Sequence, residues 1–222
     1  MENRLTGDRK RLDHFLLGYE TKLLSAFLPL VPTWMGTVQL TLLTFVWAAL
    51  VIFSGRLAAG NIQWLWGFSA CIFVQHITDM LDGEIGRRRN TGLIKWGFYM
   101  DHFLDYAFTC AVIAGYSFLL PWVYLPWVVL CLAASGGFMV HTLMDLSITG
   151  DFKISFNRVG VAEARYSLIA LNTALVVFGA ELFVAVFPFI VLISCVALAV
   201  IVYKSQKTYA LLDKNALKQK PE

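Results

Sequence analysis

Long apolar runs dominate this chain and restrict the solvents in which it can fold. Of its 222 residues, 58% are hydrophobic, against about 45–50% in an ordinary soluble domain. One domain of this length has too little interior to hide that excess, so lipid is the natural medium. A spanning helix needs about 20 mostly apolar residues. The sequence has room for six: 33–53, 62–81, 98–120, 123–148, and two that share 167–203 with a break near 181–188. The second run turns polar at its end through Gln75, His76, Thr78 and Asp79.

Charge placement tests that count. With the N-terminus in the cytoplasm, the cytoplasmic segments are 1–32, 82–97, 149–166 and 204–222. They carry five, four, three and five Lys or Arg residues, which leaves only Arg56 outside. Such asymmetry sets membrane orientation. The expectation is an all-α polytopic membrane protein: one domain over 1–222, a six-helix bundle over 33–203, and both termini cytoplasmic. Residues 9–30 place Leu12, Phe15, Leu16, Tyr19, Leu23 and Leu24 at helical spacing between charges. They read as an amphipathic helix at the membrane surface, with packing on the protein as the alternative. Pro29 and Pro32 end it, and 204–222 reads as a cytoplasmic tail. No short apolar segment precedes a small-residue cleavage site, so no secretory signal peptide is expected. Trp34, Trp64, Trp66, Trp96, Trp122 and Trp127 fall at run ends, as an interfacial belt does. A formal charge of +3 is too mild to suggest nucleic acid. Cys71, Cys110, Cys131 and Cys195 lie inside apolar runs without metal-ligand spacing.

Four carboxylates break the apolar pattern. Asp79 and Asp82 close the second run, and Asp101 and Asp105 open the third. Spacings of three and four residues put each pair on one helix face. A short connection makes the two helices antiparallel neighbours, so all four acids can converge. Converging carboxylates repel and hold protons unless cations intervene. Hard divalent ions with oxygen ligands resolve this, Mg²⁺ first. Separately solvated helix-end charges are the simpler alternative. Gly83, Gly86 and Gly97 leave room for a ligand beside the backbone. Arg87, Arg88 and Arg89 follow at once, as a diphosphate site needs, although membrane orientation alone explains an arginine run.

The stretch Asp79-Met80-Leu81-Asp82-Gly83-Glu84-Ile85-Gly86-Arg87, then Gly97-Phe98-Tyr99-Met100-Asp101-His102-Phe103-Leu104-Asp105, resembles the signature of the CDP-alcohol phosphotransferase family, D-x-x-D-G-x-x-A-R followed by G-x-x-x-D-x-x-x-D. Seven of its eight fixed positions match; Gly86 stands where the family has Ala, a small change expected to permit close packing. Six spans preceded by a surface helix also resemble this family. The resemblance implies a pair of divalent ions, Mg²⁺ or Mn²⁺, on Asp79, Asp82 and Asp101, with Asp105 beside them as ligand and general base. It implies donor contacts at Gly83, Gly86, Arg87 and Gly97, and a homodimer.

A second polar cluster, Lys153, Asn157, Arg158, Gly160, Glu163 and Arg165, opens the fifth run. Gly160-Val161-Ala162-Glu163 looks like the G-P-x-E motif of some members, choline and ethanolamine phosphotransferases among them, with Val161 replacing the Pro. Lys153, Arg158 and Arg165 suit a phosphate on the acceptor, Glu163 suits a cationic aminoalcohol, and plain membrane-orienting charge is the third reading. His141 and Asp145, four apart, read as a structural pair; His102 reads as equally supporting or idle. The activity so implied is transfer of a phosphatidyl group from CDP-diacylglycerol to a small polar alcohol, such as glycerol phosphate or inositol phosphate, with release of CMP. This belongs to phospholipid biosynthesis, with the site facing the cytoplasm, on a bacterial-type inner membrane. Alternatives are transfer from CDP-choline or CDP-ethanolamine to diacylglycerol and, more remotely, cation or proton transport.

Overall fold

The computed structural model describes residues 17–149 and 161–218. Among these the chain forms helices and turns, with no strand. The helices are α1 (Leu17–Phe27), α2 (Thr37–Ala58), α3 (Leu65–Arg88), α4 (Ile94–Ser117), α5 (Leu125–Thr149), α6 (Val161–Phe178) and α7 (Glu181–Lys218). Helix α3 packs on α2 and α6, α2 on α4, and α5 on α4 and α7.

Among the described residues three segments, Thr37–Ala58, Trp122–Thr149 and Glu181–Asn215, are long and apolar enough to cross a membrane, rather than the six expected. In α3 and α4 the reason is polarity, since they carry the four acids and His76, which lower the hydropathy of otherwise apolar helices; α6, at 18 residues, is short for a span. Outward faces are apolar all the same. Phe45 and Phe53 on α2, Val140 and Met144 on α5, and Phe189 and Ile193 on α7 are exposed, surface that water tolerates poorly.

Several boundaries differ from expectation. Helix α3 continues through Gly83 and Gly86 to Arg88, so the connection to α4 shrinks to residues 89–93. Asn90 (φ 48°) and Gly92 (φ 69°) supply the left-handed turn. The break between the last two helices falls at Gly179, whose φ of 91° ends α6. Pro188 lies within α7 instead. Helix α7 also absorbs most of the expected tail, running to Lys218, and Tyr209 on it hydrogen-bonds Asp145 of α5. Asp145 therefore pairs with Tyr209 and not with His141. Leu23, Leu24 and Phe27 of α1 pack against Leu40, Ile77, Leu81 and Ile85. That part of the expected surface helix seats its apolar face on protein; residues 9–16 lie outside the described residues.

Two features lock the bundle. Where α2 crosses α4, a Cβ on Gly55 would sit 2.6 Å from Gly115 Cα, and one on Gly115 would meet the Phe68 ring at 2.5 Å. Only glycine allows this approach, as small residues do between membrane helices. Deeper in, Tyr116 of α4 donates to Asn172 Oδ1 at 2.7 Å, and Asn172 Nδ2 donates to Ser69 Oγ of α3 at 2.9 Å. Asn172 is fully buried, so this chain of hydrogen bonds fixes α6 against both neighbours.

Gly55→Ala is expected to cost about 1–3 kcal/mol through overpacking, read as a lower Tm in detergent. Asn172→Leu removes both hydrogen bonds and is expected to cost about 0.5–2 kcal/mol, measured the same way.

Candidate active site

Helices α3 and α4 bring three of the four acids together. One carboxylate oxygen each from Asp79, Asp101 and Asp105 lie within 4.8 Å of one another. Asp79 sits on the inner face of α3, and Asp101 and Asp105, one turn apart, on the facing side of α4. Oxygen donors at such separations suit a hard divalent cation, so the residues present fit the expected metal.

Asp82 is buried one turn along α3. Its Oδ2 accepts from Thr41 Oγ1 at 2.6 Å, and its backbone carbonyl accepts from Thr37 Oγ1 at 3.2 Å. Threonines of α2 thus fix its orientation, and the charges of Asp79 and Asp101 act on it. Its oxygens are not among the three that converge.

Arg165 enters from α6. Its Nη1 donates to Asp79 Oδ2 at 2.9 Å and lies 2.8 Å from His76 Nδ1, while Nη2 donates to Asp105 Oδ1 at 2.7 Å. Arg165 is 7% exposed. A planar fork of donors suits this bridging better than an ammonium would. Expected on the acceptor side, Arg165 sits against the acids themselves. Glu163 lies in the first turn of α6; Lys153 and Arg158 lie outside the described residues.

Toward the end of α3, Arg87 and Arg88 both bond Glu84, Arg87 Nη2 at 2.8 Å and Arg88 Nε at 2.7 Å. Glu84 lies beyond the apolar run that ends at Leu81, and hydrogen bonds from Arg88 and then Arg87 hold its carboxyl below its ordinary value. The Arg87 side chain is 70% exposed. Exposed pairs of this kind contribute little, about 0–1 kcal/mol, so Arg87 can exchange Glu84 for another anion at small cost. Arg89 turns away and donates to the carbonyls of Thr33 and Met35, tying α3 to the segment before α2.

The glycines divide by surroundings. A Cβ on Gly83 would approach Arg87 Nη1 at 3.5 Å, and one on Gly97 would meet nothing within 4 Å. One on Gly86 would sit 3.0 Å from Thr37 Oγ1, tighter than the easy Gly-for-Ala exchange expected from the sequence. His102 Nδ1 lies 2.7 Å from the Phe98 carbonyl and 3.6 Å from Asp101 Oδ2. A carbonyl only accepts, so Nδ1 carries a proton.

Sequence reasoning did not assign Thr41, His76, Glu84 or Glu20 to this region. Thr37, Thr41 and Thr44 at helical spacing in an apolar helix were a usable signal for a polar inner face. Glu84 three and four residues before two arginines was another.

A family model described as CDP-alcohol phosphatidyltransferase matches residues 29–209. No curated protein and no solved structure matches the chain. The matched span runs from before α2 into α7 and contains all four acids, Gly83, Gly86, Gly97 and Arg165. On a match over most of its length, the chain belongs to the CDP-alcohol phosphatidyltransferase family.

Proposed function

We propose that this protein transfers a phosphatidyl group from CDP-diacylglycerol to a small polar alcohol, releasing CMP, in phospholipid synthesis. The observation that supports this best is the convergence of Asp79, Asp101 and Asp105 within 4.8 Å, one turn from Asp82 and two turns from Arg87 on the same helix. Carboxylate oxygens for a metal and, about two turns further along α3, an exposed arginine are the residue types that a metal-bound diphosphate requires.

Asp79, Asp101 and Asp105 would hold the divalent ion, Mg²⁺ or Mn²⁺, with Asp82 completing the acid set from its place beside Thr41. A bound ion there neutralises the diphosphate and stabilises the departing CMP. Arg87 leaves Glu84 for a donor phosphate, and Gly83 keeps the backbone open beside it. The acceptor hydroxyl oxygen attacks the phosphatidyl phosphorus as the bond to CMP breaks, and Asp105 takes the hydroxyl proton. Arg165 holds Asp105 Oδ1 and Asp79 Oδ2, which leaves the second oxygen of Asp105 to take the proton. No covalent enzyme intermediate is needed.

The proposal includes topology. All six long helices α2–α7 span the bilayer as a single domain, with both termini cytoplasmic. The basic residues of 82–97 and 204–222 support this orientation. Helix α7, with 38 residues, is about 57 Å long, which leaves its C-terminal turns in the cytoplasm. A lipid donor reaches the acids laterally from the membrane. The family resemblance also supports a homodimer.

Purified protein given Mg²⁺ or Mn²⁺, CDP-diacylglycerol and a panel of alcohols is expected to release CMP with one of them. Chelation by EDTA should abolish the release, and Asp105→Asn should lower it at least about a hundredfold. Release only from CDP-choline or CDP-ethanolamine with diacylglycerol would reverse donor and acceptor. Silence with every CDP compound would sink the reading. Arg87→Ala is expected to raise the donor KM about tenfold, the loss of one charge-assisted contact, while leaving Tm unchanged within error because its Glu84 pair is exposed.

A further inference from the structure

His76 has no part in the steps above, yet it is 3% exposed and touches the site. It lies one turn before Asp79 on α3. Its Nδ1 is 2.8 Å from Arg165 Nη1. A guanidinium has donors and no acceptor, so Nδ1 must offer a lone pair. The imidazole proton then sits on Nε2. That nitrogen faces the carboxylate of Glu20 on α1, 3.2 Å from Oε1, close but off the line of a hydrogen bond. A carboxylate on one ring nitrogen commonly fixes which tautomer the other presents.

Aromatic contacts seat the ring. Tyr166, next to Arg165 in sequence, meets His76 edge-on with centroids 5.6 Å apart, and Tyr19 meets Tyr166 edge-on at 6.2 Å. Two consecutive residues of α1, Tyr19 and Glu20, thus close over the pair that neighbours the acids. Nη1 of Arg165 has two hydrogens, and His76 and Asp79 take one each. With Nη2 on Asp105, three acceptors from two helices define the guanidinium plane. Without the imidazole, Asp79 and Asp105 alone would leave that plane free to tilt between them.

We propose that Glu20 and His76 are positioning residues that fix the plane of Arg165 against Asp79 and Asp105, so that the docking of α1 is part of the assembly of the acid site. The kinetic half of the test rests on the transferase reading above; the spectroscopic half does not.

The first measurement is NMR of the full-length, metal-free protein in detergent, labelled with ¹⁵N-histidine. The His76 signals are those missing from His76→Asn. Expected are a protonated Nε2 and an unprotonated Nδ1, with the Nδ1 resonance shifting in Arg165→Gln. A proton on Nδ1, or no response to Arg165→Gln, overturns the proposal. The second measurement is CMP release. His76→Leu is expected to lower kcat about 10- to 100-fold, the scale of a displaced site group, with donor KM changed less than twofold. His76→Asn, whose Oδ1 restores an acceptor near the Nδ1 position, should recover most of that loss, and Glu20→Ala should lower kcat several-fold. His76→Leu matching the wild type, or His76→Asn failing as badly as His76→Leu in folded protein, overturns it. Absence of turnover in the wild type alongside the expected tautomer would reject the transferase reading and leave the positioning pair standing.

Discussion

Carboxylates on neighbouring apolar helices repel one another, and the repulsion grows as water is removed. Asp79 and Asp105 face this problem directly, and the guanidinium of Arg165 lies between them. A buried pair broken on one side leaves a charge with no compensation, at a cost of about 3–5 kcal/mol. The acids on α3 and α4 and the guanidinium on α6 are therefore mutually dependent. What seats α6 also serves the acid site: the Asn172 hydrogen bonds and the imidazole beside Arg165.

Local spacing made the acid pairs legible in the sequence. Intervals of three and four residues on either side of a short connection put carboxylates on facing sides of two helices, and Asp79, Asp101 and Asp105 do meet. Helix continuity was harder to read. The second apolar run was expected to end at Leu81, yet α3 continues through Gly83 and Gly86 to Arg88, with Gly86 close against Thr37 of α2. The last break, expected near 181–188, falls just before that stretch, where Gly179 adopts a positive φ and ends α6. Pro188, the eighth residue of α7, gives up one backbone hydrogen bond without ending the helix; glycine at a helix end gains a conformation.

The polar partners of the acids were mostly hidden. Arg165 is separated from Asp79 by 86 residues, from Asp105 by 60 and from His76 by 89. Thr41 lies 41 residues from Asp82. No periodicity along one helix reports a pairing between helices so distant in sequence. What the sequence did display was polarity inside apolar runs, at Gln75, His76 and Thr78, and at the three threonines of α2. Each marks a face turned inward, but the identity of its partner comes only from packing.

Along α3, Ser69 and His76 are seven residues apart; along α6, Asn172 and Arg165 are also seven apart, in the opposite sense. Both intervals are close to two helical turns, about 10.5 Å. The amide and the guanidinium consequently act as two teeth on one rack. A slip of α6 by a single residue would move it only about 1.5 Å but rotate it about 100°, disengaging both teeth at once. Intermediate positions satisfy neither, so the two helices have one seat and nothing close to it, and a tooth buried in the bundle gauges the placement of a charge two turns away.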